Sequence, residues 1–269
     1  MSRLIFKISA GFLIGALVLL AFSLSLSRYY VSEQQRLAVA GDVEGAVAMF
    51  QRAVNLDPFD TAPLESVSFL YQQQGRAGDA AQALSEAVER SPEYYLPHLM
   101  MGNLQLGKIG NFEVAADSYR KVLELNPQAE VASSGLAQSL IRQGKLEEAR
   151  EVYVELDESG DIPLQGLYDL GRLQVRTGEA EKGTKNIKRA RRRAKNEMKK
   201  MEGPVKEQRK EFIQSVDLAI ADALVVQGRY DKAREVIVAS DSPQAPGLLQ
   251  LLDSDPMGYR DSVVNNEIY

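Results

Sequence analysis

The chain has 269 residues, no cysteine and a single histidine, His98. That excludes disulfides, thiol nucleophiles, thiolate metal sites and any centre built on paired histidines. Hydrophobic residues make up 45% of the sequence, and the net charge of −5 hides an asymmetry: between Lys182 and Lys200 ten Lys or Arg face one Glu, about +9, which leaves about −14 for the remainder.

The first stretch, MSRLIFKISAGFLIGALVLLAFSLSLSRYY, places Arg3 and Lys7 ahead of a charge-free run that lasts until Arg28. A helix of about 20 apolar residues spans roughly the 30 Å hydrocarbon layer. Residues 1–27 are therefore read as a transmembrane anchor, with a cleaved secretory signal as the competing reading. The run exceeds the roughly 7–15 residues of a signal core, and Tyr30 and Leu37 already fall at packing positions of the next element; both points favour retention. Positive residues ahead of the span place the N-terminus in the cytoplasm and the rest outside the cytoplasmic membrane, a bias that Arg28 and Arg36 weaken. Gly11 and Gly15 form a GxxxG that could pair helices, or simply reflect the abundance of small residues in spans.

From there a pattern recurs. Turn glycines stand at Gly41, Gly75, Gly110, Gly144, Gly178 and Gly228, at steps of 34, 35, 34, 34 and 50 residues. Five residues after each comes a small residue (Ala46, Ala80, Ala115, Ala149, Gly183, Ala233), as close crossing of two helices requires. Four further on comes a bulky one (Phe50, Leu84, Tyr119, Tyr153, Ile187, Ile237). Pro58, Pro92 and Pro127 close the first three units, where a residue without an amide hydrogen ends a helix. Leu64, Val67, Leu70 and Tyr71 recur at three- and four-residue steps, the stripe of a buried helix face, whereas Glu147, Glu148 and Glu151 form a solvated one.

These residues carry a resemblance to the tetratricopeptide-repeat family, whose 34-residue unit is a helix-turn-helix. GDVEGAVAMFQRAVNLDP (Gly41–Pro58) and LYDLGRLQVRTG (Leu167–Gly178), with its Leu170–Gly171 pair, are the best single matches, and Tyr71 sits at the family's first-helix tyrosine. The resemblance implies an all-α, right-handed superhelical solenoid of about six repeats over residues 28–240. Three units depart from the pattern. The third has one extra residue between Gly102 and Gly110, the fourth has its proline late at Pro163, and the fifth has Gly183 in place of alanine.

The resemblance also implies a concave groove lined by the first helix of each unit. Its positions fall on Phe69 and Gln73, on Asn103, on Gln138 and Arg142, and on Tyr168, Arg172 and Arg176. Three arginines among amide and aromatic neighbours suit an extended, carboxylate-bearing segment of a partner protein; the bland reading is ordinary exposed helix residues. The family's clamp for chaperone tails is disfavoured, because Leu99 and Gly135 stand where it needs polar residues and only Asn103 fits.

The 50-residue step marks an extended helical hairpin over residues 180–227, with helix expected from Ala180 to Glu202 and from Val205 to Gln227 about the breaker Gly203–Pro204. Ile187, Ala190, Ala194, Met198 and Met201 form its first stripe. Phe212, Val216, Ala219, Ile220 and Ala223 form its second. It is expected to project, carrying Lys182, Lys185, Lys188, Arg189, Arg191, Arg192, Arg193, Lys195, Lys199 and Lys200. This basic run is either a solvated face or a contact for anionic lipid, an acidic protein or another polyanion. Nucleic acid is the least favoured, since the repeats are read as lying outside the cytoplasm, and no aromatic residue interleaves the run for stacking on single strands.

In the last segment, 241–269, a Pro/Gly-rich break precedes LLQLL (Leu248–Leu252), expected to cap the final repeat, and the sequence beyond Pro256 has no periodicity and reads as a flexible tail. No phosphate-binding glycine loop, catalytic set, metal site or cofactor motif is present in the sequence, and His98 beside Pro97 reads as packing or surface. The expectation is a membrane-anchored, non-enzymatic scaffold or assembly factor that needs no cofactor and holds a membrane-associated partner protein in its groove. A module acting through the basic run on anionic lipid or polyanion is the alternative.

Overall fold

The computed structural model describes residues 2–57 and 60–265, residues 2–12 as backbone only. Pro58, expected to close the first repeat, lies outside the described residues, as do the side chains of Arg3 and Lys7, the surroundings of Gly11 and the last four residues of the tail. No strand occurs among the described residues. The chain divides into two compact units, residues 1–127 and 128–269.

The first unit stacks three antiparallel helix pairs: α1 (Ser2–Val39) on α2 (Val43–Leu56), α3 (Ala62–Gln73) on α4 (Ala77–Arg90), and α5 (Tyr95–Leu104) on α6 (Phe112–Leu125). The second stacks three more: α7 (Glu130–Arg142) on α8 (Leu146–Glu158), α9 (Leu164–Arg176) on α10 (Ala180–Met198), and α11 (Gly203–Val226) on α12 (Tyr230–Ala239). Consecutive pairs also touch within each unit, α2 with α3, α4 with α5, α8 with α9 and α10 with α11. This is the solenoid arrangement, in which apolar faces are buried between neighbours. The small residues Ala46, Ala80, Ala115, Ala149 and Ala233 are fully buried at the crossings, and Leu84, Tyr119, Tyr153, Ile187 and Ile237 are at most 1% exposed.

The turns repeat one geometry. Each of the six turn glycines has φ between 71° and 87°, a left-handed conformation that a Cβ would strain. The residue after the glycine is the N-cap of the second helix of the pair. Asp42 and Asn111 also cap it, accepting from Gly45 N at 2.9 Å and Val114 N at 3.2 Å.

Two departures from the repeat acquire physical reasons. The extra residue of the third unit is absorbed by a π turn over Gln105–Ile109, closed by Gly110 N donating to Gln105 O at 2.7 Å. One added residue per turn is what a π turn accommodates, so Gly110 still reaches its place. In the fifth unit, a Cβ on Gly183 would lie 2.5 Å from the Gly171 carbonyl oxygen, and one on Gly171 would lie 2.9 Å from the Gly183 carbonyl oxygen. Here α9 and α10 cross backbone to backbone, closer than an alanine allows.

Other expectations shift. Helix α1 runs unbroken past residue 27, and Ser23 and Ser27 donate to the carbonyls of Leu56 (2.9 Å) and Ala53 (3.1 Å); the first repeat therefore begins inside the stretch assigned to the anchor. Helix α10 ends at Met198, not Glu202, and Gly203–Pro204 opens α11 instead of closing α10, because proline without an amide hydrogen is suited to a first turn. Met198 and Met201 are only half-buried, unlike Ile187, Ala190 and Ala194. The segment expected to be flexible is helical: α13 (Ala245–Ser254), with Leu252 buried, packs on α12, and α14 (Pro256–Asn265) packs on α11 and α9.

Candidate partner-binding site

In the first unit, the first-helix face carries its predicted residues in the open. Phe69 on α3 is 56% exposed, and Gln73, one turn along the same helix, is exposed too. Asn103 on α5 is exposed but not free: its Oδ1 accepts from the Tyr119 hydroxyl at 2.8 Å. Burial pushes that phenol up to about 12, so it stays a donor. Two further aromatics belong to this unit's exposed surface, Tyr94 (42%) and Tyr95 (39%) at the start of α5, stacked edge to face at 5.9 Å. Tyr94 lies near enough to Glu65 of α3 for that carboxylate to raise its phenol, after burial. The repeat pattern does not single out either tyrosine, since both precede the groove positions of α5; exposed paired aromatics are visible only in three dimensions.

In the second unit, Gln138 and Arg142 on α7 are exposed. The three positions on α9 are not an open groove. Tyr168 is 8% exposed, its ring edge to face with Phe212 of α11 at 5.5 Å, and Arg172 lies over the same ring at 5.5 Å. Arg176 Nε donates to the carbonyl of Val264 on α14 at 3.4 Å, and Tyr259 of α14 donates its hydroxyl to Asp222 Oδ1 on α11 at 2.7 Å. The chain's own last helix therefore covers the α9–α11 face. A repeat pattern stops at the last repeat and carries no signal for the segment beyond it.

The basic run does not project as one charged arm. Arg189 grips Asp157 of α8 with two hydrogen bonds, at 2.7 and 3.1 Å; Arg193 donates to the Ile162 carbonyl at 2.8 Å; Arg191 pairs with Asp217 of α11, whose side chain is 8% exposed. Lys182 and Lys199 have neighbours on their own helix or its start, Glu179 and Asn196. The run is thus partly structural: its arginines fasten α10 to α8 and α11. Among the described residues, Lys185, Lys188, Arg192 and Lys195 line an open groove of about 1260 Å³ that is floored by Ile220, Val236 and Ala239 and also holds Glu181 and Glu235. Lys200 is exposed.

A model of the tetratricopeptide repeat matches residues 109–161. A solved structure of MamA covers 66% of this chain and 97% of its own at 18% identity, with a TM-score of 0.58. The chain has the tetratricopeptide-repeat fold. Its fold is also similar to that of YrrB, described as a TPR protein with an unusual peptide-binding site, with a TM-score of 0.51 at 19% identity over 60% of this chain and 82% of that one. Among curated proteins it is similar to DnaJ homolog subfamily C member 3 of Bos taurus, 25% identical over 128 residues, 48% of this chain. The Homo sapiens protein of that name is 25% identical over 127 residues. The chain spans a quarter of the length of these curated relatives.

Two carboxyl groups of the second unit titrate unusually, and sequence reasoning missed both. Burial raises Asp169 on α9 to about 6 against the hydrogen bond from Gln165 (3.0 Å) and the charge of Arg172. Burial raises Asp222 to about 6 against the Tyr259 hydrogen bond and, again, Arg172. Each has a structural partner. His98 is buried, with Nε2 3.0 Å from the Pro92 carbonyl, the packing role expected of it. Among the described residues no group of three or more His, Asp or Glu is set to hold a metal.

Proposed function

We propose that this tetratricopeptide-repeat protein is a membrane-tethered, non-catalytic interaction scaffold that holds an extended segment of a partner protein on the first-helix face of its first unit. The observation that carries this reading is Phe69, a large aromatic left 56% exposed beside exposed Gln73 on the helix that lines such faces in this fold. Large aromatics turned outward on a rigid helix are typical anchors of protein interfaces. Asn103, held in place by Tyr119, supplies an oriented amide on the next first helix. That YrrB, of similar fold, has a peptide-binding site agrees with the reading.

Tethering is supported by α1. Among the described residues it is the one helix long and apolar enough to cross a membrane. Leu13, Ile14, Leu17, Val18, Leu19, Leu20 and Phe22 are 54–71% exposed, an apolar surface that water disfavours and a bilayer accepts. Retention over cleavage is supported by Ser23 and Ser27, since cleavage after Ser25 would remove the first of their bonds to α2 and cleavage after Ser27 both. With Arg3 and Lys7 ahead of the span, the repeats lie on the extracytoplasmic side of the cytoplasmic membrane in this proposal. A module acting on anionic lipid or polyanion through residues 182–200 is less favoured, because Arg189, Arg191 and Arg193 are committed to neighbours.

The test is site-specific photocrosslinking of the full chain in its own membranes. Probes at Phe69, Gln73 and Asn103 are expected to trap one and the same partner, and a probe at Asp117, on the outer helix α6, is expected not to. Equal trapping from both faces, or loss of the chain from membranes on alkaline carbonate washing, would overturn the face or the tether respectively.

A further inference from the structure

Helix α14 sits on the α9–α11 face in a way unlike the packing of the repeats. Of its ten residues only Tyr259 is buried, at 2% exposure, and Val263 and Val264 are half-buried. Polar contacts hold its two ends: the Tyr259 hydroxyl on Asp222 at 2.7 Å and Arg176 on the Val264 carbonyl at 3.4 Å. A cavity of about 210 Å³ remains beneath it, lined by Arg172, Arg176, Leu218, Asp222, Leu248 and Tyr259. The joint to α13 is the single residue Asp255, whose side chain accepts from Gly258 N at 2.8 Å and so starts α14 as an independent helix. A helix that buries one side chain opens at a small fraction of the global unfolding free energy.

We propose that the α9–α11 face is a helix-binding site whose resident occupant is α14, released when a partner helix of the same pattern competes for the site. The competitor must place an aromatic hydroxyl at Asp222, a main-chain carbonyl at Arg176, and an apolar side chain in the cavity that α14 leaves unfilled. Because a short joint holds α14 at an effective concentration on the order of millimolar, a natural competitor gains its advantage from that cavity and from greater buried area. The inference is independent of the first unit's face, and either can fail alone.

Hydrogen exchange of the full chain, with a synthetic peptide of residues 255–265 as competitor, tests it. The amides of α14 are expected to exchange at least about tenfold faster than those of α9 and α11. Roughly millimolar peptide is expected to strip protection from α14 while α9 and α11 stay protected. A peptide carrying Tyr259→Phe is expected to need about tenfold more for the same effect, since it leaves Asp222 without its donor. Protection of α14 as strong as that of α11, lost only together with it, would make α14 a fixed cap and overturn the proposal. So would α14 exchange that the peptide does not change.

Discussion

Gly171 on α9 and Gly183 on α10 meet backbone to backbone, each filling the space that the other's Cβ would need. Alanine at position 183 would restore the usual residue of the repeat. Here Gly183→Ala is nevertheless expected to destabilise the second unit by about 2 kcal/mol, because two of the three clashing atoms, Gly171 O and Val175 N, are backbone and cannot rotate aside as the third, Val175 Cγ2, could. Urea denaturation of the variant beside the parent chain measures this; an unchanged or raised midpoint would show that the crossing has slack.

The basic run should divide into two classes. Arg191→Gln strands Asp217, whose side chain is 8% exposed, and is expected to cost about 2 kcal/mol; this is below the roughly 3–5 kcal/mol of a fully enclosed pair because Arg191 is 38% exposed. Lys188→Gln removes a charge with no partner among the described residues and should leave stability within about 0.5 kcal/mol. Denaturation midpoints of the two single variants decide it.

Docking of α14 should depend on pH. Burial raises Asp222 to about 6 with α14 docked on it; on undocking it is expected to move toward the ordinary value of about 3.9, so that the docked state takes up a proton. Its contribution is fully present below about pH 4 and lost as pH rises through about 6. The groups facing it are Tyr259 on α14 and Arg172 and Tyr168 on α9; Arg172 stays charged and both phenols stay neutral throughout this range. Exchange of α14 relative to α9, corrected for intrinsic rates, should therefore show docking roughly tenfold stronger at about pH 5 than at about pH 7.5. No change, or a change of opposite sign, would remove Asp222 from the latch. Asp169, also raised to about 6, shifts the stability of the repeats themselves in the same direction, which is why α9 is the reference.

At the other end, Ser27→Ala is expected to cost about 1 kcal/mol, since Ser27 is 2% exposed and donates to α2. The mature protein should begin ahead of Ser23, which mass measurement of the membrane-extracted chain checks; a mature N-terminus after Ser25 or Ser27 would replace the anchor with a signal peptide.

Much of the fold could be read from local chemistry. Turn glycines at a fixed step, small residues five further on and bulky residues nine further on are one-dimensional traces of left-handed turns, helix crossings and cores. The extra residue before Gly110 and the missing alanine at 183 were visible as irregularities, but their causes, a π turn and a backbone-to-backbone crossing, depend on a neighbouring helix. Of the residues read as a groove, Phe69, Gln73, Asn103, Gln138 and Arg142 lie exposed, while Tyr168, Arg172 and Arg176 lie against Phe212 and α14.

Taken alone, the sequence determined the helices, their pairing in repeats and the apolar first helix, because periodicity and turn residues act over a few positions along the chain. Tertiary structure decided which charges of the basic run are spent on Asp157, Ile162 and Asp217, and that a tail without periodicity folds as a helix over the α9–α11 face. Those outcomes rest on contacts between residues about 30 to 90 positions apart, where complementarity of two surfaces, rather than the pattern of either one, sets the free energy.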